Sequence, residues 1–179
     1  MLRKKYTFDD YGDLDLTRYD ADIGFHMGPT VPAEICERAG EHRIRDCTRV
    51  ESLDQAVDAL ACGYGLSICS SYGFSNRRDK YGVSRRRGSW MHSMTVIGCN
   101  DDPDDPACQT HGRPLLLILN SWGRSWNAGD RYHDQPAGSF WIKPRTARGM
   151  IESGSCFAFS CLDGFPLREL PDYGATSRI

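Results

Sequence analysis

No stretch of this chain is apolar enough to span a membrane. Its longest apolar run is Leu115–Leu119, far short of the roughly 20 residues a spanning helix needs. Mean hydropathy is −0.52, and no membrane partner is expected. No export signal is visible either. Basic Leu2-Arg3-Lys4-Lys5 leads into Tyr6–Asp10, which is polar and acidic, where a signal peptide carries about 7–15 apolar residues. The compartment stays open, because Met1 is not taken as the natural start. Neither sign of charge dominates: 22 Lys and Arg face 24 Asp and Glu, for a net charge of −2. Bulk charge therefore gives no reason to expect a nucleic-acid partner. The eight cysteines in 179 residues fall below the roughly 8–10% of a disulfide-held scaffold. Most are read as reduced, buried thiols. No internal repeat and no Gly-x-Gly-x-x-Gly phosphate loop occurs. The 40% hydrophobic and 11% aromatic content suits one globular domain, or one lobe of a larger one.

The order of elements points to an α+β fold with a mostly antiparallel, barrel-like β-sheet and a few short helices. Residues 1–30 are rich in Tyr and Asp without a period, and read as an extended arm. Pro32–Ala39 is expected to be a short helix stopped by Gly40, and His42–Val50 a strand. Ser52–Cys62 is the clearest helix, capped by Ser52, with Leu53, Ala56, Val57, Leu60 and Ala61 on one face and Gly63 as its stop. Strands are expected at Leu66–Ser71, Met91–Cys99, Pro114–Asn120, Ser139–Ile142 and Ser155–Cys161, with a short helix at Arg145–Glu152. Residues 72–89 read as a long Arg- and Gly-rich loop, and residues 100–113 as an acidic one. The basic set Arg77, Arg78, Lys80, Arg85, Arg86 and Arg87 is expected to be solvated, and to pair with Asp101, Asp102, Asp104 and Asp105. Three regions follow: 1–49, an arm and short helix; 50–165, the β-rich lobe; and 166–179, a loose tail.

The chemistry sits on two strands. Trp90-Met-His92-Ser-Met-Thr-Val-Ile-Gly98 carries one histidine on an apolar strand. Leu115-Leu-Leu-Ile-Leu-Asn120-Ser-Trp-Gly-Arg-Ser-Trp126 ends another in an asparagine and a Gly/Trp turn. A loop of this size lets neighbouring antiparallel strands set His92 beside Asn120. The carboxamide oxygen then accepts one ring N–H and fixes the tautomer, leaving the other ring nitrogen free for a nucleophile. Trp122 is placed to cover the pair and exclude water. Taken alone, a histidine on an apolar strand is ordinarily a core residue, and a strand-end asparagine a turn residue. Cys108-x-x-His111 has only one of the two ligand spacings a structural zinc site needs. No metal and no cofactor are expected.

The string Asn120-Ser121-Trp122-Gly123, followed by Trp126 and preceded by His92-Ser-Met-Thr-Val-Ile-Gly98, resembles the C-terminal, His/Asn-bearing half of papain-like cysteine peptidases, bacterial members in particular. Gly138-Ser-Phe-Trp-Ile142 resembles the family's Gly-aromatic strand, and Ser155–Ser160 its closing strand. The resemblance covers about residues 50–165. It implies that His92 is general base and acid, that Asn120 orients the ring, and that Trp122 and Trp126 shield the cleft, with Ser121 and Gly123 in the turn between them. It implies a peptide or protein substrate. It also implies that the side bearing Trp90, Trp122 and Trp126 faces a helical lobe carrying the nucleophile.

That nucleophile has no counterpart here. The family's cysteine precedes its histidine by about 130–150 residues, a distance that reaches beyond Met1. Cys36 lies near the end of its expected helix, where the dipole disfavours a thiolate. Cys69 and Cys99 read as core thiols. The expected reading is a lobe of a longer enzyme, the arm at 1–49 being the crossover from the missing helical lobe; a separate chain supplying that cysteine lobe is a second reading. The alternative is a non-catalytic binding module that kept the fold and lost the cysteine.

Overall fold

The computed structural model describes residues 46–159 and, ahead of them, Glu37, Gly40, Glu41, Arg43 and Ile44. The expected arm, the tail and all but Glu37 of the helix expected at Pro32–Ala39 lie outside the described residues. Residues 46–159 fall in one compact unit, and its sheet is as follows. Six strands, β1 (Cys47–Arg49), β2 (Gly65–Arg78), β3 (Ser84–Asn100), β4 (Leu115–Leu119), β5 (Ser139–Ile142) and β6 (Ser155–Phe159), lie in the order β1-β6-β2-β3-β4-β5. Every pairing of these strands is antiparallel. Among the described residues three helices accompany them: α1 (Leu53–Ala61), α2 (Pro106–His111) and α3 (Pro144–Ser153). The fold is α+β.

The sheet is rolled. Register shifts interrupt the β2–β3 ladder after Ser70, Tyr72 and Phe74, and such irregularities increase local twist. The hairpin tip curls until it meets the far edge strand. Val83 bridges Trp141, the Trp141 N–H donates to the Gly82 carbonyl, and Arg78 donates to the Ser139 carbonyl at 3.0 Å. Phe74 on β2 and Phe140 on β5, three strands apart in the sheet, therefore touch at 4.8 Å.

Inside the roll, Leu66, Ile68, Met94, Val96, Leu116, Ile118, Phe140 and Ile142 form one core. It is closed by Val50, Leu53 and Ala56 around α1 and by Ala147, Met150 and Ile151 of α3. Full burial contributes about 1.5–3 kcal/mol for each large side chain. The outer face of β4 and β5 is covered too, where Leu115, Leu117 and Trp141 pack with Val83, Ala107 and Cys108. Cover on both faces explains why β4 is apolar throughout rather than alternating.

Helix α1 starts as its sequence dictates. Ser52 accepts the Gln55 N–H at 3.2 Å, and Gln55 reaches back to the Glu51 N–H at 2.8 Å, a close variant of the capping box.

Five expectations need correction. The long loop at 72–89 is instead the outer half of the β2–β3 hairpin, turned at Asp79. The Asp79 side chain accepts the Tyr81 and Val83 N–H groups, an Asx turn that frees both flanks to pair. The acidic loop holds α2, because Asp105 accepts the Ala107 and Cys108 N–H groups and Pro106 sets the first helical turn. Among the described residues the strand expected at His42–Val50 shrinks to Cys47–Arg49, an edge strand that pairs with β6. Of the cysteines, Cys108 and Cys156 are buried, but Cys47, Cys62 and Cys69 are exposed, all of them free. Cys69 turns out because Ile68 and Ser70, its neighbours in a period-2 strand, turn in. Nor do the basic and acidic sets pair among the described residues. Arg78 bonds the Ser139 and Gly129 carbonyls, Arg86 covers the Tyr72 ring, and Asp101 pairs with Arg113.

Candidate active site

Val96, Met94 and His92 alternate with Ile97, Thr95 and Ser93 along β3, so the histidine continues the buried face toward the open end of the roll. On β4 the same face carries Leu116 and Ile118, and Asn120 follows just past the strand end. The Asn120 N–H reaches the Gly138 carbonyl at 3.3 Å, which prolongs the β4–β5 ladder by one step. Register pairs Thr95 with Leu119, which places Met94 level with Asn120 and His92 one pleat further on. The pair is thus a diagonal neighbour across the strands, within reach of side chains of this length.

His92 Nε2 lies 2.8 Å from Asn120 Oδ1. The same oxygen accepts the Ser121 N–H, also at 2.8 Å. A main-chain N–H has no other role than donor, so the atom it meets must be the amide oxygen. The ring nitrogen facing that oxygen then carries the proton, and Nδ1 of the neutral ring is left as a base. Asn120 is 5% exposed, and its Nδ2 has no hydrogen-bond partner among the described residues. On the neighbouring strand, Ser70 pairs with His92 in register and is buried, its hydroxyl accepting the Tyr72 N–H at 3.3 Å.

Trp122 stacks on the His92 ring, with centroids 4.8 Å apart and planes at 28°. It leans on Trp90 at 4.6 Å and on the edge of Trp126 at 5.7 Å. Trp90 in turn meets Phe74, and Trp126 meets Phe140, so the aromatic cover of the histidine is rooted in the core. Trp126 donates Nε1–H to the Gly138 carbonyl at 2.8 Å. Trp122 remains 39% exposed, while Trp90 and Trp126 are part-buried. Gly123 turns the chain with φ +94°. Gly138 has φ +84°, and a β-carbon there would sit 2.6 Å from the Gly123 carbonyl oxygen. The turn that carries Ser121 and Trp122 is therefore backed by a glycine that admits no side chain.

His92, Asn120, Ser121, Trp122, Gly123 and Trp126 are thus brought to one place. Sequence reasoning missed the role of the Ser121 N–H, the Phe74 and Phe140 floor, and the Gly138 carbonyl. Phe140 and Gly138 had a signal, since Gly138-Ser-Phe-Trp was already singled out as a strand, whereas Phe74 lay in the segment read as a loop.

Among the described residues no thiol is hydrogen-bonded to His92. Cys69 pairs with Ser93 on the opposite face. Burial pushes the Cys156 thiol up to about 11, and burial also raises Cys99 and Cys108, the wrong direction for a nucleophile. The Cys108 thiol donates to the Asn100 carbonyl, and His111 lies 2.9 Å from Asp79, so both residues of the zinc-like spacing have other partners. A second His–Asp pair, His133 with Asp105 at 2.7 Å, stands against Tyr132.

No family model matches the chain, and no curated protein matches it. It is similar to solved structures of papain-like cysteine proteases. One is digestive procathepsin L 3 of Tenebrio molitor larval midgut, at 12% identity over 64% of this chain and 35% of that one, with a TM-score of 0.39. Another is the Amb a 11 cysteine protease, a major ragweed pollen allergen, in its proform, at 13% identity over 73% and 33%, with a TM-score of 0.40. A third is the Carica candamarcensis cysteine protease CMS1MS2 in complex with E-64, at 20% identity over 65% and 49%, with a TM-score of 0.38. The chain spans between a third and a half of the length of each.

Proposed function

We propose that this chain is the His/Asn-bearing lobe of a papain-like cysteine peptidase, acting on peptide or protein substrates, with the nucleophilic thiol supplied by a helical lobe outside it. The observation that carries the reading is the 2.8 Å contact between His92 and an asparagine whose amide is pinned by a main-chain N–H. That arrangement presents Nδ1 as a base at the mouth of an apolar, aromatic-covered site. A core histidine has no need of a stacked indole that is itself 39% exposed.

In this reading Nδ1 takes the proton of the incoming thiol, and the thiolate attacks the scissile carbonyl carbon. The imidazolium then protonates the leaving amine as the C–N bond breaks, leaving a thioester. His92 next takes a proton from water, whose oxygen attacks the thioester carbon. The thiol leaves with that proton, and a carboxylic acid is released. Through both halves Asn120 holds the ring by Nε2–H, so the imidazole turns neither away nor to the other tautomer. Trp122 keeps water from competing for that bond.

The test starts from the coding sequence upstream of Met1. An in-frame segment with a cysteine preceded by glutamine, expressed with this chain, is expected to cleave fluorogenic peptides. Alkylation of that thiol, and His92→Ala, are each expected to abolish the activity. The 179-residue chain alone is expected to be inactive. Turnover by the chain alone that is lost on alkylating one of its own cysteines would overturn the split-site reading. An in-frame stop directly before Met1 would favour the non-catalytic binding module.

A further inference from the structure

A cleft of about 440 Å³ lies between α3 and the β2–β3 hairpin, lined by Tyr72, Arg86, Arg145, Thr146, Arg148 and Glu152. It shares no residue with the His92–Asn120 site, and it is open to solvent, with Arg86, Arg145 and Arg148 all exposed. Three guanidinium groups face one carboxylate there, which leaves two positive charges uncompensated. Among the described residues none of the three arginines has an ion-pair partner. Arg86 only covers the Tyr72 ring, at 4.0 Å.

Two of these placements are unfavourable for the empty protein. Arg145 and Arg148 stand three apart on one helix, where like charges repel. Arg145 also sits in the first turn of α3, against the positive end of the helix dipole. That helix begins at Lys143 without a side-chain cap, so its first-turn amides lack the acceptor that a Ser, Asp or Asn would supply. Gly149 completes the cleft. A β-carbon there would run into the Tyr72 hydroxyl, so only glycine lets that ring close against the helix. An anion between the arginines at the start of α3 would relieve both the like-charge spacing and the uncapped helix end.

We propose that this cleft binds a small dianionic oxyanion, a phosphate or a dicarboxylate, gripped by Arg86, Arg145 and Arg148. The Thr146 hydroxyl and the first-turn amides of α3 serve as neutral donors. The planar fork of each guanidinium matches either oxyanion, and two negative charges neutralise the excess.

The test is isothermal titration of the full chain at low ionic strength with inorganic phosphate, pyrophosphate and succinate, and with chloride as the monovalent control. Saturable one-to-one binding of at least one dianion is expected, and which one binds tells phosphate from dicarboxylate. Arg145→Ala and Arg148→Ala, both at exposed positions, are each expected to weaken it about tenfold or more. Arg77→Ala, which removes the same charge from the hairpin outside the cleft, is expected to leave it unchanged. Without ligand, Arg148→Ala is expected to melt no lower than the parent chain, since it relieves repulsion. Absence of saturable binding by all three dianions would overturn the proposal. So would chloride binding as tightly as they do, or equal weakening by Arg77→Ala.

Discussion

Replacing Asn120 by alanine removes a single acceptor atom that two donors share. Those donors are His92 Nε2–H and Ser121 N–H, each at 2.8 Å. A hydrogen bond of this kind contributes about 0.5–1.5 kcal/mol net, and a donor left buried without a partner costs about 1–3 kcal/mol. Two features reduce the total. His92 is only half-buried and Ser121 is exposed, so water reaches both donors in part. The substitution also removes Asn120 Nδ2, which already lacks a partner. The net cost expected is therefore about 1–2 kcal/mol, read from urea unfolding midpoints at constant slope. A double-mutant cycle with His92→Ala isolates the side-chain bond. The cost of Asn120→Ala is expected to fall by about 0.5–1.5 kcal/mol when His92 is already alanine. In nitrogen-15 spectra, the parent chain is expected to show a slowly exchanging imidazole proton on Nε2, absent from Asn120→Ala. Costs that add within about 0.3 kcal/mol, with an imidazole proton that survives the substitution, would refute the account of His92 as held by Asn120.

Three further outcomes follow from the same structure. Gly138→Ala is expected to cost about 2 kcal/mol or more, because φ is +84° and the new β-carbon would press on the Gly123 carbonyl; thermal unfolding checks it, and an unchanged midpoint would mean the turn can move. Thiol labelling of the native chain, mapped by mass spectrometry, should modify Cys47, Cys62 and Cys69 quickly and Cys108 and Cys156 only on unfolding. Acid titration should show the charge of Asp105. Its burial acts to raise the carboxyl, but His133, the Ala107 amide, Asn100 and the Cys108 amide hold it down at about 2. Its stabilisation is therefore full above the ordinary carboxyl value near 3.9 and is lost as pH falls through about 2, about 2 kcal/mol in all. Asp105→Asn should flatten that acid limb, and an identical slope in both proteins would count against the network.

Much of the fold was legible because short-range signals and the tertiary structure agree. Helix α1 carries its own cap at Ser52 and its own stop at Gly63, and β4 and β5 announce themselves by apolar runs. The hairpin tip was not legible for a physical reason. Between Tyr72 and Ser89 the arginines and glycines carry no alternating apolar face, because one side of that ribbon is solvated. What pairs it is the Asp79 turn together with contacts to Trp141 and Ser139, some 60 residues away. Helix α2 was hidden in the same way. Six residues are too few for a period, and its capping residue, Asp105, reads as one more acid in an acidic run.

The site divides along the same line. His92, Asn120 and Trp122 stand out as residue types, and the antiparallel pairing of two neighbouring strands suffices to bring the first two together. What makes the contact chemically definite is not a residue type at all. An asparagine beside a histidine offers either its oxygen or its nitrogen, and each choice leaves the ring with the opposite tautomer. The Ser121 main-chain N–H removes that freedom, because it can only donate and it meets the same atom. Its position depends in turn on the Asn120–Gly123 turn, and that turn is backed by Gly138, where any side chain would collide with the Gly123 carbonyl. The proton on His92 Nε2 is thus fixed by backbone geometry 29 to 46 residues further along the chain, and the free Nδ1 lone pair follows from it.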